Sequence, residues 1–309
     1  MSNSNIHGIG ESRNNGNNDD DSTPLFMMGN YKGDPREQPV FSFLKQTLCP
    51  CFKFKSFSFI IIIVNIAIYI FSLFPHGLNE FQKEFYFLPP SGETLDKLGD
   101  LNGRKIRKTA IQGYRWIAHN FLHAYFNHIF SNCFSIIIIG TILEHLIGTW
   151  KYIAVYALSG ILGSLFSVLV NYDSVSVGAS ICICGLISCL IAHCVINWNS
   201  LTAIYGCPNR CFIITFPILI AFMNISMIVT GEKEDDENKR IKINAYGHLG
   251  GIIFGFFLGL IFIKPKNESD VCCFTYKILF YTGLVVCISF ALIGFPCFYS
   301  LDKYKANLK

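Results

Sequence analysis

Residues 56–74, SFSFIIIIVNIAIYIFSLF, contain no charged side chain and are long enough to cross the roughly 30 Å hydrocarbon core of a bilayer as a helix. A chain carrying such a run has few structural choices. Lipid offers the backbone no hydrogen-bond partner, so the run must satisfy its own amides and carbonyls as a helix. Further apolar runs lie near 124–143, 150–170, 178–196, 211–230, 246–264 and 273–299, which makes seven candidate spans. Charged residues make up only 15% of the chain, against about 25% in an average soluble domain. The expected fold class is all-α, a polytopic membrane helical bundle with short connections.

The flanks read differently. Residues 1–48 include NNGNNDDD and hold no apolar segment, so they are expected to be a disordered tail with no cleaved leader. The first span then serves as an uncleaved anchor. The net charge of +4 is spread over several loops and does not suggest a nucleic-acid partner. Seven of the thirteen cysteines (Cys133, Cys182, Cys184, Cys189, Cys194, Cys287 and Cys297) fall inside apolar runs, where cysteine packs as a small hydrophobe. Cys207 and Cys211 bracket a short loop, CPNRC, without the further ligands zinc needs, so no metal and no cofactor is expected. Cys49 and Cys51 precede the first span beside Lys53 and Lys55, a setting that suits lipid attachment.

The longest connection, residues 75–123, mixes turn signals, charge and the aromatics Tyr114, Trp116 and Phe121, a composition suited to a functional loop at the membrane interface. The charged run 231–245 reads as a solvated cap over the start of the sixth span. Successive spans alternate in direction, so the starts of spans two, four and six face one side. The polar residues that need explaining lie there: His123, His128 and Asn132 at span two, Ser180 in span four, and His248 in span six. Polar groups inside a membrane are costly and mark function by default. His193, at the other end of span four, reads as structural.

Each residue also has a bland reading. A lone serine in a membrane helix usually packs or bonds back to its own backbone, and His128 with Asn132 is an ordinary i, i+4 pair. Together they match what acyl transfer requires: a nucleophile (Ser180), a base (His248), and oxyanion donors (Asn132, His128 and the Ser180 backbone N–H). Glycines supply the approach. Gly247, Gly251, Gly255 and Gly259 recur every four residues on span six, and Gly178 and Gly185 thin span four. Such small-residue rows let membrane helices touch closely.

The segments FLHAYFNHIFSN, GASICICG and GHLGGIIFG, in this order on spans two, four and six, resemble the rhomboid intramembrane serine proteases. YRW at 114–116, GTILEHLIG around Glu144 and YALSGILGSL at 156–165 extend the resemblance over roughly residues 90–265. It implies Ser180 as nucleophile, His248 as general base, and His128 and Asn132 as oxyanion donors. Arg115 and Glu144 fall at structural positions that brace the first loop. It also implies a catalytic core of six spans over 49–265 and a seventh span with a short tail over 266–309, the six-plus-one secretory eukaryotic arrangement. The Asn-, Ile-, Phe- and Lys-rich bias is similar to that of apicomplexan members. Two positions depart from the pattern: Tyr114 replaces the usual Trp before Arg115, and Ile181 follows the nucleophile where a small residue is common. A bulky Ile181 is expected to narrow the substrate approach.

The implied activity is cleavage of transmembrane segments of single-span membrane proteins, with membrane lipid as the other partner. The alternative is a catalytically inactive rhomboid-like protein that binds membrane clients. A seven-span transporter or receptor would instead line a path with its polar residues. The resemblance implies an integral protein of the secretory pathway or plasma membrane with a cytosolic N-terminus. Lys83, Lys97, Arg104, Lys105, Arg107, Lys108 and Arg115 in the first loop pull against that orientation under the positive-inside rule, whereas Lys45, Lys53 and Lys55 favour it.

Overall fold

The computed structural model describes residues 51–74, 88–173, 175–200, 244–267 and 270–300. The N-terminal tail, Cys49, the fifth span, the CPNRC loop and nearly all of the 231–245 run lie outside the described residues. The rest is all-α apart from one two-residue strand pair. Span one is α1 (Phe57–Ser72). The first loop carries α2 (Gly92–Leu98), strand β1 (Leu101–Asn102), α3 (Gly103–Lys108) and a run of short helical turns through Phe121. Spans two and three are α4 (Phe126–Ile147) and α5 (Thr149–Val170). Strand β2 (Val175–Ser176) precedes span four, α6 (Ser180–Ile196), and α7 (Ala245–Phe262) and α8 (Cys273–Ser300) are spans six and seven.

Among the described residues α4, α5, α7 and α8 are long and apolar enough to cross a membrane. α6 has 17 residues, so at 1.5 Å per residue it reaches only about 25 Å, short of the roughly 30 Å core. Ser180 is its first residue and directly follows the non-helical segment 177–179.

α6 is the centre of the bundle, with 14 of its 17 residues buried. α7 lies against it along the predicted glycine row. A Cβ on Gly251 would stand 2.3 Å from Ile181 O, one on Gly255 2.2 Å from Gly185 O, and one on Gly259 2.6 Å from Ala192 Cβ. Gly250 on the neighbouring face meets Gly163 of α5 in the same way. α8 sits at the periphery, burying Gly283 against α7 and Gly294 against α5. Its end turns Phe298 into a cluster with Leu101, Ile106, Trp116, Leu165, Val168 and Tyr172, so the first loop rests on spans three and seven. Trp116 meets Phe295 and Phe298 edge-on at ring-centroid distances of 5.5 and 5.3 Å.

Glu144 is placed differently from expectation. It lies in the last turn of α4, at the far end from the first loop, and does not brace that loop. Its carboxylate accepts from Phe57 N, Ser58 N, Ser58 Oγ and Thr149 Oγ1 at 2.7–2.9 Å. It caps the start of α1 and ties it to the start of α5, compensating α1 donors that lack an intrahelical acceptor.

Candidate active site

Ser180 opens α6, and the residues before it determine where its hydroxyl points. Gly178 has φ +131, a conformation that favours glycine. Its amide donates to His119 O at 2.9 Å, which hangs the segment from the first loop. A Cβ on Gly178 would also stand 2.7 Å from His128 Nε2, so the glycine lets that imidazole close on the start of α6. His128 and Asn132 come from one face of the first two turns of α4. Asn132 is 6% exposed, and its Nδ2 makes no hydrogen bond among the described residues.

His248 sits in the first turn of α7, buried, with Nε2 2.7 Å from Ser180 Oγ. Its Nδ1 has no hydrogen-bond partner among the described residues. The close α6–α7 seam explains why residues 68 apart in sequence meet at this distance. The structure thus brings Ser180, His248, His128 and Gly178 into one place, with Asn132 one turn further along the face of His128. Among the described residues no cluster of three or more metal-ligating side chains occurs.

Ile181 does not line the approach to Ser180. It is 2% exposed and points the other way, into a socket bounded by glycines from two spans. A Cβ on Gly163 would stand 2.6 Å from its Cγ2, and one on Gly247 2.6 Å from its Cδ1. The expectation that it narrows the substrate path fails because one residue along a helix turns the side chain by about 100°. The bulk is accommodated by Gly163 and Gly247.

The first loop is held by Arg115, 3% exposed. Its Nη1 donates to Asp100 O at 2.9 Å and pairs with the Asp100 carboxylate. Its Nη2 donates to Asp96 O at 2.7 Å, and its Nε to Gln112 Oε1. Burial pushes the Asp100 carboxyl up to about 6, against the opposing pull of the Arg115 guanidinium. His119 carries the brace inward: its Nδ1 lies 2.7 Å from Arg115 O and its Nε2 2.8 Å from Ser164 Oγ on α5. Burial lowers its pKa to about 4, so the ring is neutral.

Sequence reasoning named Arg115 but missed Asp96, Asp100, His119 and Asn244, which caps the start of α7 with its Oδ1 accepting from Gly247 N at 2.8 Å. Asn244 had a readable signal, a capping residue directly before a long apolar run. The two aspartates had none, since several acidic residues of the first loop were equal candidates for Arg115. His193 is buried at the far end of α6 beside the 264–270 connection, apart from this cluster.

A family model described as the rhomboid domain matches residues 110–265. RHOMBOID-like protein 6, mitochondrial, and RHOMBOID-like protein 5 of Arabidopsis thaliana are 32% and 34% identical over 190 and 189 residues, 60% of this chain in each case. The chain spans 55% of the length of each of these two. Rhomboid-like protease 1 of Toxoplasma gondii is 26% identical over 92% of both chains. Inactive RHOMBOID-like protein 8 of Arabidopsis thaliana is 32% identical over 46% of this chain and 43% of its own.

Proposed function

Because this chain belongs to the rhomboid family, which holds proteases and an inactive relative alike, we propose that it is an intramembrane serine endopeptidase acting through a Ser180–His248 dyad. The observation that carries this reading is the 2.7 Å separation of Ser180 Oγ and His248 Nε2; the buried Asn132 Nδ2, one turn along from His128, has no hydrogen-bond partner among the described residues. Ser180 Oγ attacks the scissile carbonyl while His248 Nε2 takes its proton. Asn132 Nδ2, His128 and the Ser180 amide bind the oxyanion. His248 returns the proton to the leaving amine, and water then hydrolyses the acyl-enzyme. The substrates are transmembrane segments of single-span proteins. A helix hides its carbonyls in its own hydrogen bonds, so segments with Gly or Ala near the surface, which unwind readily, are favoured.

The N-terminus is cytosolic and the site opens to the opposite, lumenal or external side. Asn267 of the sequon Asn267-Glu268-Ser269 then faces the cytosol, with its Nδ2 donating to Ser200 Oγ at 2.8 Å. An engineered sequon in the 231–245 loop is expected to be glycosylated, and one in an extended 265–271 connection is not; the reverse pattern inverts the protein. The deciding experiment is cleavage of a reporter transmembrane segment by wild type, Ser180→Ala and His248→Ala. Loss of cleavage in both variants, with the double no worse than either single, is expected. Substantial cleavage by Ser180→Ala removes the dyad assignment, whereas no cleavage by wild type leaves the inactive, client-binding reading.

A further inference from the structure

We propose that Asn244 is a positioning residue of the dyad, clamping the helix that carries His248 to the segment that delivers Ser180. The proposal rests on the dyad reading above. Asn244 caps α7: its Oδ1 accepts from Gly247 N at 2.8 Å, and its backbone O accepts from His248 N at 3.0 Å. An ordinary cap would stop there. This side chain makes two more bonds, both leaving the helix. Ser167 Oγ of α5 donates to Oδ1 at 2.6 Å, and Nδ2 donates to Ser176 Oγ of β2 at 2.8 Å. Ser176 stands four residues before Ser180 and pairs with Leu101 of the first loop.

One amide therefore joins the first turn of α7, the last turns of α5 and the strand leading to the nucleophile. The need for it follows from His248. A catalytic histidine is usually oriented by a partner on its other ring nitrogen, and Nδ1 here has none among the described residues. The ring's position against Ser180 then depends on how α7 is seated, and Asn244 fixes that seating at the nearest turn. Gly247 leaves the room, since a Cβ there would stand 2.8 Å from Asn244 Cγ.

Displacement of a reacting group by 1 Å can cost about 10²-fold in rate. Asn244→Ala is expected to lower kcat on the reporter by about 10–10²-fold with KM changed by less than about twofold, the pattern of an interaction realised in the transition state. Asn244→Asp should recover most of the loss, because a carboxylate accepts from Gly247 N and Ser167 Oγ and the Ser176 hydroxyl can turn to donate. Ser176→Ala removes only the bond across to β2 and leaves the cap intact. It should also lower kcat, and it serves if Asn244→Ala does not fold. Wild-type kcat in Ser176→Ala, or a rise in KM alone, overturns the proposal. Amide hydrogen exchange provides a readout independent of catalysis. Ser176→Ala should lose protection at residues 175–180 and at Gly247 while residues 251–262 keep theirs; unchanged protection at 175–180 overturns the clamp. If wild type cleaves no reporter, the proposed function falls, and the exchange pattern still decides the clamp.

Discussion

Replacing Ile181 by Ala tests whether the residue after the nucleophile is a wall of the substrate path or a knob in the bundle. The substitution removes three carbons from a side chain 2% exposed and packed against Gly163 and Gly247. Truncating a buried isoleucine to alanine costs about 2–5 kcal/mol, part transfer and part cavity. Lipid tails are as apolar as isoleucine, so in a bilayer little of the transfer part survives. The cavity part remains, and the lower end, about 2 kcal/mol or roughly 30-fold in the folding equilibrium, is the expected loss. Gly163→Ala approaches the same socket from the other side. Its new methyl would stand 2.6 Å from Ile181 Cγ2, an overpacking that costs about 1–3 kcal/mol. In the double variant that methyl enters space Ile181 has vacated, so the two losses should sum to less than additive. Clashes with Gly251 N and Gly247 O remain, so rescue is partial. The assay is thermal unfolding of the purified protein in detergent, with reporter cleavage measured in parallel. Faster cleavage or broader substrate acceptance by Ile181→Ala, with unchanged unfolding, would refute the socket and restore Ile181 to the substrate path.

Asn132→Ala should reduce turnover by about 10²–10³-fold, short of the complete loss in Ser180→Ala, because His128 and a backbone donor remain; unchanged turnover in an Asn132→Ala, His128→Ala double variant removes the oxyanion role. Gly251→Val or Gly255→Val should abolish cleavage, since even the first carbon added would stand 2.2–2.3 Å from backbone oxygen of α6, which cannot swing aside; full activity in both variants shows that this is not the contact surface. Asp100 has its carboxyl raised in the folded state to about 6, above its ordinary 3.8. Its contribution to stability is therefore fully present below about pH 4 and is lost as pH rises through about 6. The unfolding temperature of wild type relative to Asp100→Asn should accordingly rise between pH 7 and pH 4, and a flat or opposite difference contradicts the burial argument.

The spans were legible because lipid imposes one rule on a charge-free run, and six of the seven runs are helices where the sequence puts them. The fifth lies outside the described residues. The grouping of Ser180, His248 and His128 was legible from parity and glycine spacing, both properties of local sequence. What was not legible depends on direction. Ile181 was misassigned because composition does not reveal which way the first turn of a helix faces. Glu144 was expected to brace the first loop, and the donors it caps instead, Phe57 and Ser58, are 86 or more residues away in sequence. The Asp100–Arg115 pair was missed for a different reason: choosing among several carboxylates of one loop requires the loop's folded path.

The contact between the first loop and the seventh span sets an order of events during synthesis. Trp116 is made before its aromatic partners Phe295 and Phe298 in span seven, and Arg107 before Tyr299, whose carbonyl accepts from it. At about 5–20 residues per second, the ribosome needs roughly 10–40 s to travel from one to the other. Throughout that interval the underside of the loop, Leu101 and Ile106 included, lacks the cover that Phe298 gives it. Docking of α8 is thus a late latch, and the first loop gains this support only after spans two to six have been translated.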